Sequence, residues 1–153
     1  MTSRRSFLVS VTAGLHASTF AAPPSALRFR AGSGGEFTFD TGVVRGKLRA
    51  GGKSFGLGEV GHVPSGAAVS RAYGLCGHYR VFTRNHRYGG GAWDWPSEAE
   101  LLGDGSAKVH WPPASDRPFV MEAHYRWSAR DTFDVETTVK ATADLVDFES
   151  FLA

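Results

Sequence analysis

Residues 119–127 constrain the fold most. Phe119, Met121, Ala123, Tyr125 and Trp127 are apolar at every second position, with Glu122, His124 and Arg126 between them. A period of two sends alternate side chains to opposite faces of an extended chain, so the segment predicts a half-buried β-strand rather than an amphipathic helix. After the polar residues 128–131 the pattern resumes: Phe133, Val135, Val139, Ala141 and Ala143 are set against Asp134, Glu136, Thr138, Lys140 and Thr142. Two alternating runs around a short polar turn predict an antiparallel hairpin.

The same signal recurs upstream. Val109 and Trp111 alternate with Lys108 and His110, entered through Gly103, Asp104 and Gly105 and closed by Pro112 and Pro113, which predicts a strand ahead of the hairpin. Residues 36–41 and 43–50 run into Gly51 and Gly52 and leave through residues 53–57, a second hairpin with a glycine turn. Several short strands with regular turns predict an all-β antiparallel sandwich with little or no helix. Residues 61–71 and 84–96 have the composition of loops, and residues 97–102 are expected to form one helical turn. The lone cysteine, Cys76, has no partner for a disulfide or a zinc ribbon, so stability must come from a packed core. Residues 145–153, with Val146, Phe148, Phe151 and Leu152, read as an apolar strand without a turn or partner. An unpaired apolar strand is an aggregation hazard, so the domain, residues 27–153, is expected to continue beyond Ala153.

Ser3, Arg4, Arg5, Ser6, Phe7 and Leu8 follow the Ser/Thr-Arg-Arg-x-Phe-Leu pattern of a twin-arginine export signal. The weakly apolar stretch behind them is too short and too polar to span a bilayer, which takes about 20 apolar residues. Residues 1–26 are therefore expected to be a signal peptide cleaved between Ala21 and Ala26, directing the folded domain to the periplasm, cell envelope or exterior. Removing Arg4 and Arg5 from the 17 basic residues leaves 15, equal to the 15 acidic ones. A neutral mature chain without a basic run argues against nucleic-acid binding, and the mature protein is expected to have no membrane span.

All four tryptophans and all four tyrosines fall between Tyr73 and Trp127. Tyr125, Trp127 and Trp111 lie on the apolar phase of strands and are expected in the core. Trp93 and Trp95 instead flank Asp94 in a loop that begins with Tyr88 and three glycines. Aromatic rings on a loop offer flat platforms to the apolar faces of sugars, and neighbouring polar groups can bond the hydroxyls. Asn85, His86, Arg87, Tyr88, Trp93, Asp94 and Trp95 are the candidate ligand-binding residues, with a neutral saccharide as the expected partner. His124, beside Glu122 and Arg126, and His78, in phase with Arg80 in a regular strand, are candidate acid–base groups if their faces line a cleft. The histidine spacings fit no metal site, and no nucleophile elbow or phosphate loop is present, so no metal or cofactor is expected.

The order of glycine-rich aromatic loop, Asp-Gly turn, Val-x-Trp strand, Tyr-x-Trp strand and the run Phe133 to Ala141 resembles the front half of galactose mutarotase-like (aldose 1-epimerase-like) β-sandwiches. The resemblance spans residues 84–153. It implies a sugar-facing loop in which Asn85, His86, Gly89 and Gly90 match the family's Asn, His and paired glycines, with Arg87 and Tyr88 intervening. It also implies that the catalytic histidine and glutamate of that family would fall beyond Ala153; Glu149 stands near where the histidine segment begins. Residues 77–82 and 148–152 look like segments of uncharacterised exported bacterial proteins. The function expected is carbohydrate binding or processing outside the cytoplasm, the alternative a non-catalytic envelope-associated domain.

Overall fold

In the computed structural model, which describes residues 7–9, 27–49, 54, 56–72 and 74–153, the predicted hairpin is the centre of the largest sheet. β10 (Phe119–Trp127) and β11 (Phe133–Ala141) pair antiparallel, from Phe119 opposite Ala141 to Trp127 opposite Phe133. β9 (Ala107–Trp111) lies on the other side of β10, and β8 (Glu98–Leu101) pairs with β9. β1 (Phe7–Val9) adds to the free side of β11, giving the order β1-β11-β10-β9-β8. A second sheet runs β2 (Arg30–Ala31), β3 (Glu36–Asp40), β4 (Val44–Arg49) and β5 (Gly56–His62) in sequence order. The third contains β6 (His78–Thr83), flanked by β7 (His86–Arg87) and β12 (Glu149–Leu152). All named pairings are antiparallel, and the chain is nearly all β, as the alternation predicts.

One core joins the three sheets. Phe119, Met121, Ala123, Tyr125 and Trp127 are all buried, as are Ala107, Val109 and Trp111 beside them. Trp127 meets Phe39 of the second sheet at 4.7 Å between ring centroids, and Phe29 and Phe133 pack around it. The third sheet contributes His78 and Val81, both 1% exposed, and the Tyr125 hydroxyl donates to the Cys76 carbonyl at 3.2 Å. Each large side chain taken from water in this way stabilises by about 1.5–3 kcal/mol. Burial pushes up the pKa of both the Tyr125 phenol and the Cys76 thiol, since the charged forms lose their hydration.

Three expectations are corrected. Residues 97–102 do not form a helical turn: Glu98–Leu101 is a strand, with Ala99 and Leu101 packed against the core and Glu98 and Glu100 turned outward. Ala, Glu and Leu favour helix locally, but pairing with β9 overrides that preference. The strand after the second hairpin runs on through Gly61 and His62, which read as loop. A bulge there places Glu59 at φ 51°, and Lys47 bonds Glu59 at 2.6 Å and Glu36 at 3.1 Å. The C-terminal apolar strand is not unpaired, because β12 pairs with β6.

Arg4 and Arg5, the expected cleavage region 21–26 and the Gly51-Gly52 turn lie outside the described residues. The backbone of Phe7–Val9, within the expected signal segment, pairs as β1 with residues 135–137 of β11. Among the described residues no helix is long and apolar enough to cross a membrane.

Candidate functional site

The irregularity in β6 decides which of its side chains reach solvent. Arg80 lies opposite Phe151, but the next pair is His78 with Leu152, so Tyr79 is an extra residue on the β6 side. Such a bulge reverses the inward–outward phase of the strand. His78 and Val81, three positions apart, therefore both point into the core, while Arg80 is exposed. This corrects the placement of His78 beside Arg80. Its Nδ1 lies 3.1 Å from Ser150 Oγ and its Nε2 3.1 Å from Thr137 Oγ1, so one imidazole ties the small sheet to the large one. Burial lowers its pKa to about 4 and keeps the ring neutral. With both nitrogens occupied and 1% exposure it is a structural group, closed to a substrate.

The glycine-rich loop continues from β7. Tyr88 is buried, its hydroxyl 3.3 Å from Thr83 Oγ1 and its ring edge-on to Phe119 at 5.1 Å. Ala92–Asp94 forms a single 3-10 turn, closed by the Trp95 amide donating to the Ala92 carbonyl. That turn separates the two tryptophans. Trp95 is 5% exposed, 5.9 Å from Phe119, with the Arg117 guanidinium 4.4 Å above its ring. It is part of the core, and its faces are covered, which corrects its assignment as a sugar platform. Trp93 is half-buried and stacks on Tyr79, with centroids 5.2 Å apart and planes inclined by 26°. Gly91 permits this stack. A Cβ there would lie 2.8 Å from Trp93 Cε2 and 2.8 Å from the Tyr79 carbonyl oxygen, too close for any other residue.

Around the stack the side chains form a connected surface. The Arg80 guanidinium lies 4.6 Å from the Tyr79 ring centroid. Arg87 Nη2 donates to the Gly90 carbonyl at 2.6 Å, and its guanidinium lies 6.0 Å from the Phe82 ring. Phe82 meets Phe151 edge-on at 5.9 Å, and Phe151, 46% exposed, is the cross-strand partner of Arg80. His86 is exposed and packs against the edge of Tyr88 at 4.5 Å. Asn85 is exposed in the turn between β6 and β7, and Asp94 is exposed on the 3-10 turn. Of the residues predicted, Arg87 and Trp93 come to this face, Asn85 and Asp94 lie on the exposed segments beside it, and Tyr88 and Trp95 support it from below; His86, opposite Thr83 and packed on Tyr88, points to the other side of the small sheet from Arg87. Tyr79, Arg80, Phe82 and Phe151 were not predicted. In a regular strand Tyr79 would share the buried phase of Val81, and nothing in the residue order signals the bulge.

His124 belongs elsewhere. It sits on the outer face of the five-stranded sheet, with the core between it and the outer face of β6. Its Nε2 is 2.7 Å from Ser106 Oγ, which donates to Asp104 Oδ1 at 2.6 Å. The Asp104 carboxylate also accepts from the Ser106 amide at 2.9 Å, and these bonds hold its pKa below the usual value. Ser106 is 2% exposed and already bonded on both sides, so this chain of groups presents no accessible nucleophile. The same face carries further pairs, among them His110 with Glu122, Lys108 with Glu100 and Arg126 with Asp134. Among the described residues no three His, Cys, Asp or Glu side chains converge as metal ligands would.

The sequence matches no protein-family model, and comparisons with curated proteins and with solved structures found no match.

Proposed function

We propose that the protein is an exported carbohydrate-binding β-sandwich, which holds a saccharide on the face formed by Tyr79, Arg80, Arg87 and Trp93. The observation that carries this reading is the half-exposed Tyr79–Trp93 stack, with the Arg80 guanidinium over Tyr79 and the Arg87 guanidinium on the Gly90 carbonyl of the same loop. An aromatic platform takes the C–H face of a sugar ring, and arginine donors reach its oxygens. Kinship with mutarotase-like sandwiches and export by the twin-arginine route are parts of the same proposal. The first rests on the order of loop and strand motifs, the second on Arg4 and Arg5.

Binding is favoured over turnover by the placement of the histidines. Neither His78 nor His124 is on this face. His86 is turned to the opposite side of β7 from Arg87, against Tyr88, and among the described residues no carboxylate bonds to it. Calorimetric titration against a panel of oligosaccharides tests the reading. A member of the panel should bind the full chain, and Trp93→Ala should weaken it tenfold or more without unfolding the protein. Absence of binding across the panel, or full affinity in a folded Trp93→Ala variant, contradicts it.

A further inference from the structure

Two arginines of this face, Arg80 and Arg87, are exposed and make no ion pair among the described residues. Each is nevertheless held in place, Arg80 over the Tyr79 ring and Arg87 on the Gly90 carbonyl. Phe82 faces Arg87 across β6 and β7, and Arg80 is two residues along β6. The two arginines are therefore diagonal neighbours on one face, a relation that puts their backbones about 7–8 Å apart. Arg84, at the end of β6, differs, since its Nε is bonded to Asp147 at 2.8 Å. Two carboxylates border the face: Glu149, opposite Phe82 on β12, which pairs with neither Arg80 nor Arg87, and Asp94 on the exposed 3-10 turn, which has a partner of its own. Phe82 stands between Glu149 and Arg87.

A guanidinium fixed by one contact keeps most of its five N–H donors for a ligand, and its planar fork matches a carboxylate. A neutral sugar would use those donors weakly; a sugar carrying a carboxylate at each ring would use them as charge-assisted bonds while its ring lies on the aromatic stack. We propose that the saccharide bound at this face is acidic, a uronate-containing oligosaccharide whose carboxylates are read by Arg80 and Arg87 and whose ring rests on the Tyr79–Trp93 stack. The proposal rests on the saccharide reading above and sharpens it from the neutral ligand expected from composition.

The test titrates the full chain with tetramers of galacturonate and of mannuronate, each as the free acid and as its uncharged methyl ester. At least one free acid should bind tenfold or more tighter than its ester at low salt. The advantage should shrink as ionic strength rises, because the arginines are solvent-exposed. Arg80→Gln and Arg87→Gln should each weaken the free acid by a larger factor than the ester and so reduce the acid–ester difference. Arg87→Lys, which keeps charge without the fork, should restore part of it, and Glu149→Gln should increase acid affinity. Thermal unfolding of each variant confirms that it is folded. Equal affinity for acid and ester overturns the charge proposal and leaves the saccharide reading standing. Binding of neither form of either tetramer, when a neutral oligosaccharide does bind, overturns the charge proposal alone; binding of no saccharide overturns both. A tetraglutamate peptide binding as tightly as the uronates would contradict a saccharide ligand.

Discussion

Trp93 and Trp95 are two residues apart and have opposite fates: the ring of Trp93 stacks 5.2 Å from that of Tyr79 at the surface, while Trp95 is buried beneath the Arg117 guanidinium. The 3-10 turn at Ala92–Asp94 separates them, turning one indole outward and the next into the core. The loop is thus anchored from inside by one tryptophan and equipped outside by the other.

The two tryptophans should respond differently to truncation. Trp95→Ala empties a core site and should cost about 3–5 kcal/mol of folding free energy. Trp93→Ala loses a partly exposed stack and should cost about 1–2 kcal/mol, within the range of an aromatic pair plus modest area. Urea unfolding with an unchanged denaturant slope measures both. Equal losses would contradict the separation.

Gly91→Ala should destabilise the protein by about 1–3 kcal/mol, because the added methyl overlaps Trp93 and the Tyr79 carbonyl. Gly58→Ala is the control. A Cβ there meets nothing within 4 Å, and in a strand alanine should be neutral or stabilising by about 0.5–1 kcal/mol. Circular-dichroism melts of the two variants give the comparison.

Stability should fall on mild acidification through His78. Its pKa is lowered to about 4 in the fold against about 6.5 when unfolded, so between these values the unfolded chain binds more protons. Stability contributed by keeping the ring neutral is complete above about pH 6.5 and decreases until about pH 4, in total by about 3 kcal/mol. The window is distinct from that of Asp104, whose depressed pKa protects stability until lower pH. His78→Gln, which does not titrate, should flatten the curve between pH 4 and 6.5. An unchanged curve in that variant would show that another group governs the window.

Ser106→Ala removes at once the partner of His124 Nε2 and a donor to Asp104. A cost of about 1–2 kcal/mol is expected for losing bonds at a buried hydroxyl. The Asp104 carboxyl should titrate closer to its ordinary value, since its largest stabilising contact is gone. Carboxyl chemical shifts against pH would show it; an unmoved Asp104 would mean that backbone contacts alone depress it.

Much of the fold is legible in the residue order, and the failures have physical causes. The alternation from Phe119 to Trp127 is visible because one side of that strand is wholly buried and the other carries charge. Residues 97–102 misled because Glu, Ala and Leu suit either state, and only pairing with Ala107–Trp111 decides. The candidate site was half legible. Trp93 and Arg87 stand out as aromatic and polar groups in a glycine loop, whereas Tyr79 and Arg80 depend on a one-residue bulge with no local signature. That same bulge buries His78, which a regular strand would have exposed with Arg80.

If Trp93 is the platform, the indole N–H resonances of the four tryptophans report it in one spectrum. Trp111 and Trp127 bury their indole nitrogens without a hydrogen-bond partner among the described residues, and Trp95 is covered, so these three should be insensitive to ligand. Titration of the isotopically labelled full chain with oligosaccharide should move the Trp93 indole signal progressively and saturably and leave the other three in place. Saturable binding that leaves the Trp93 signal unmoved would contradict the account.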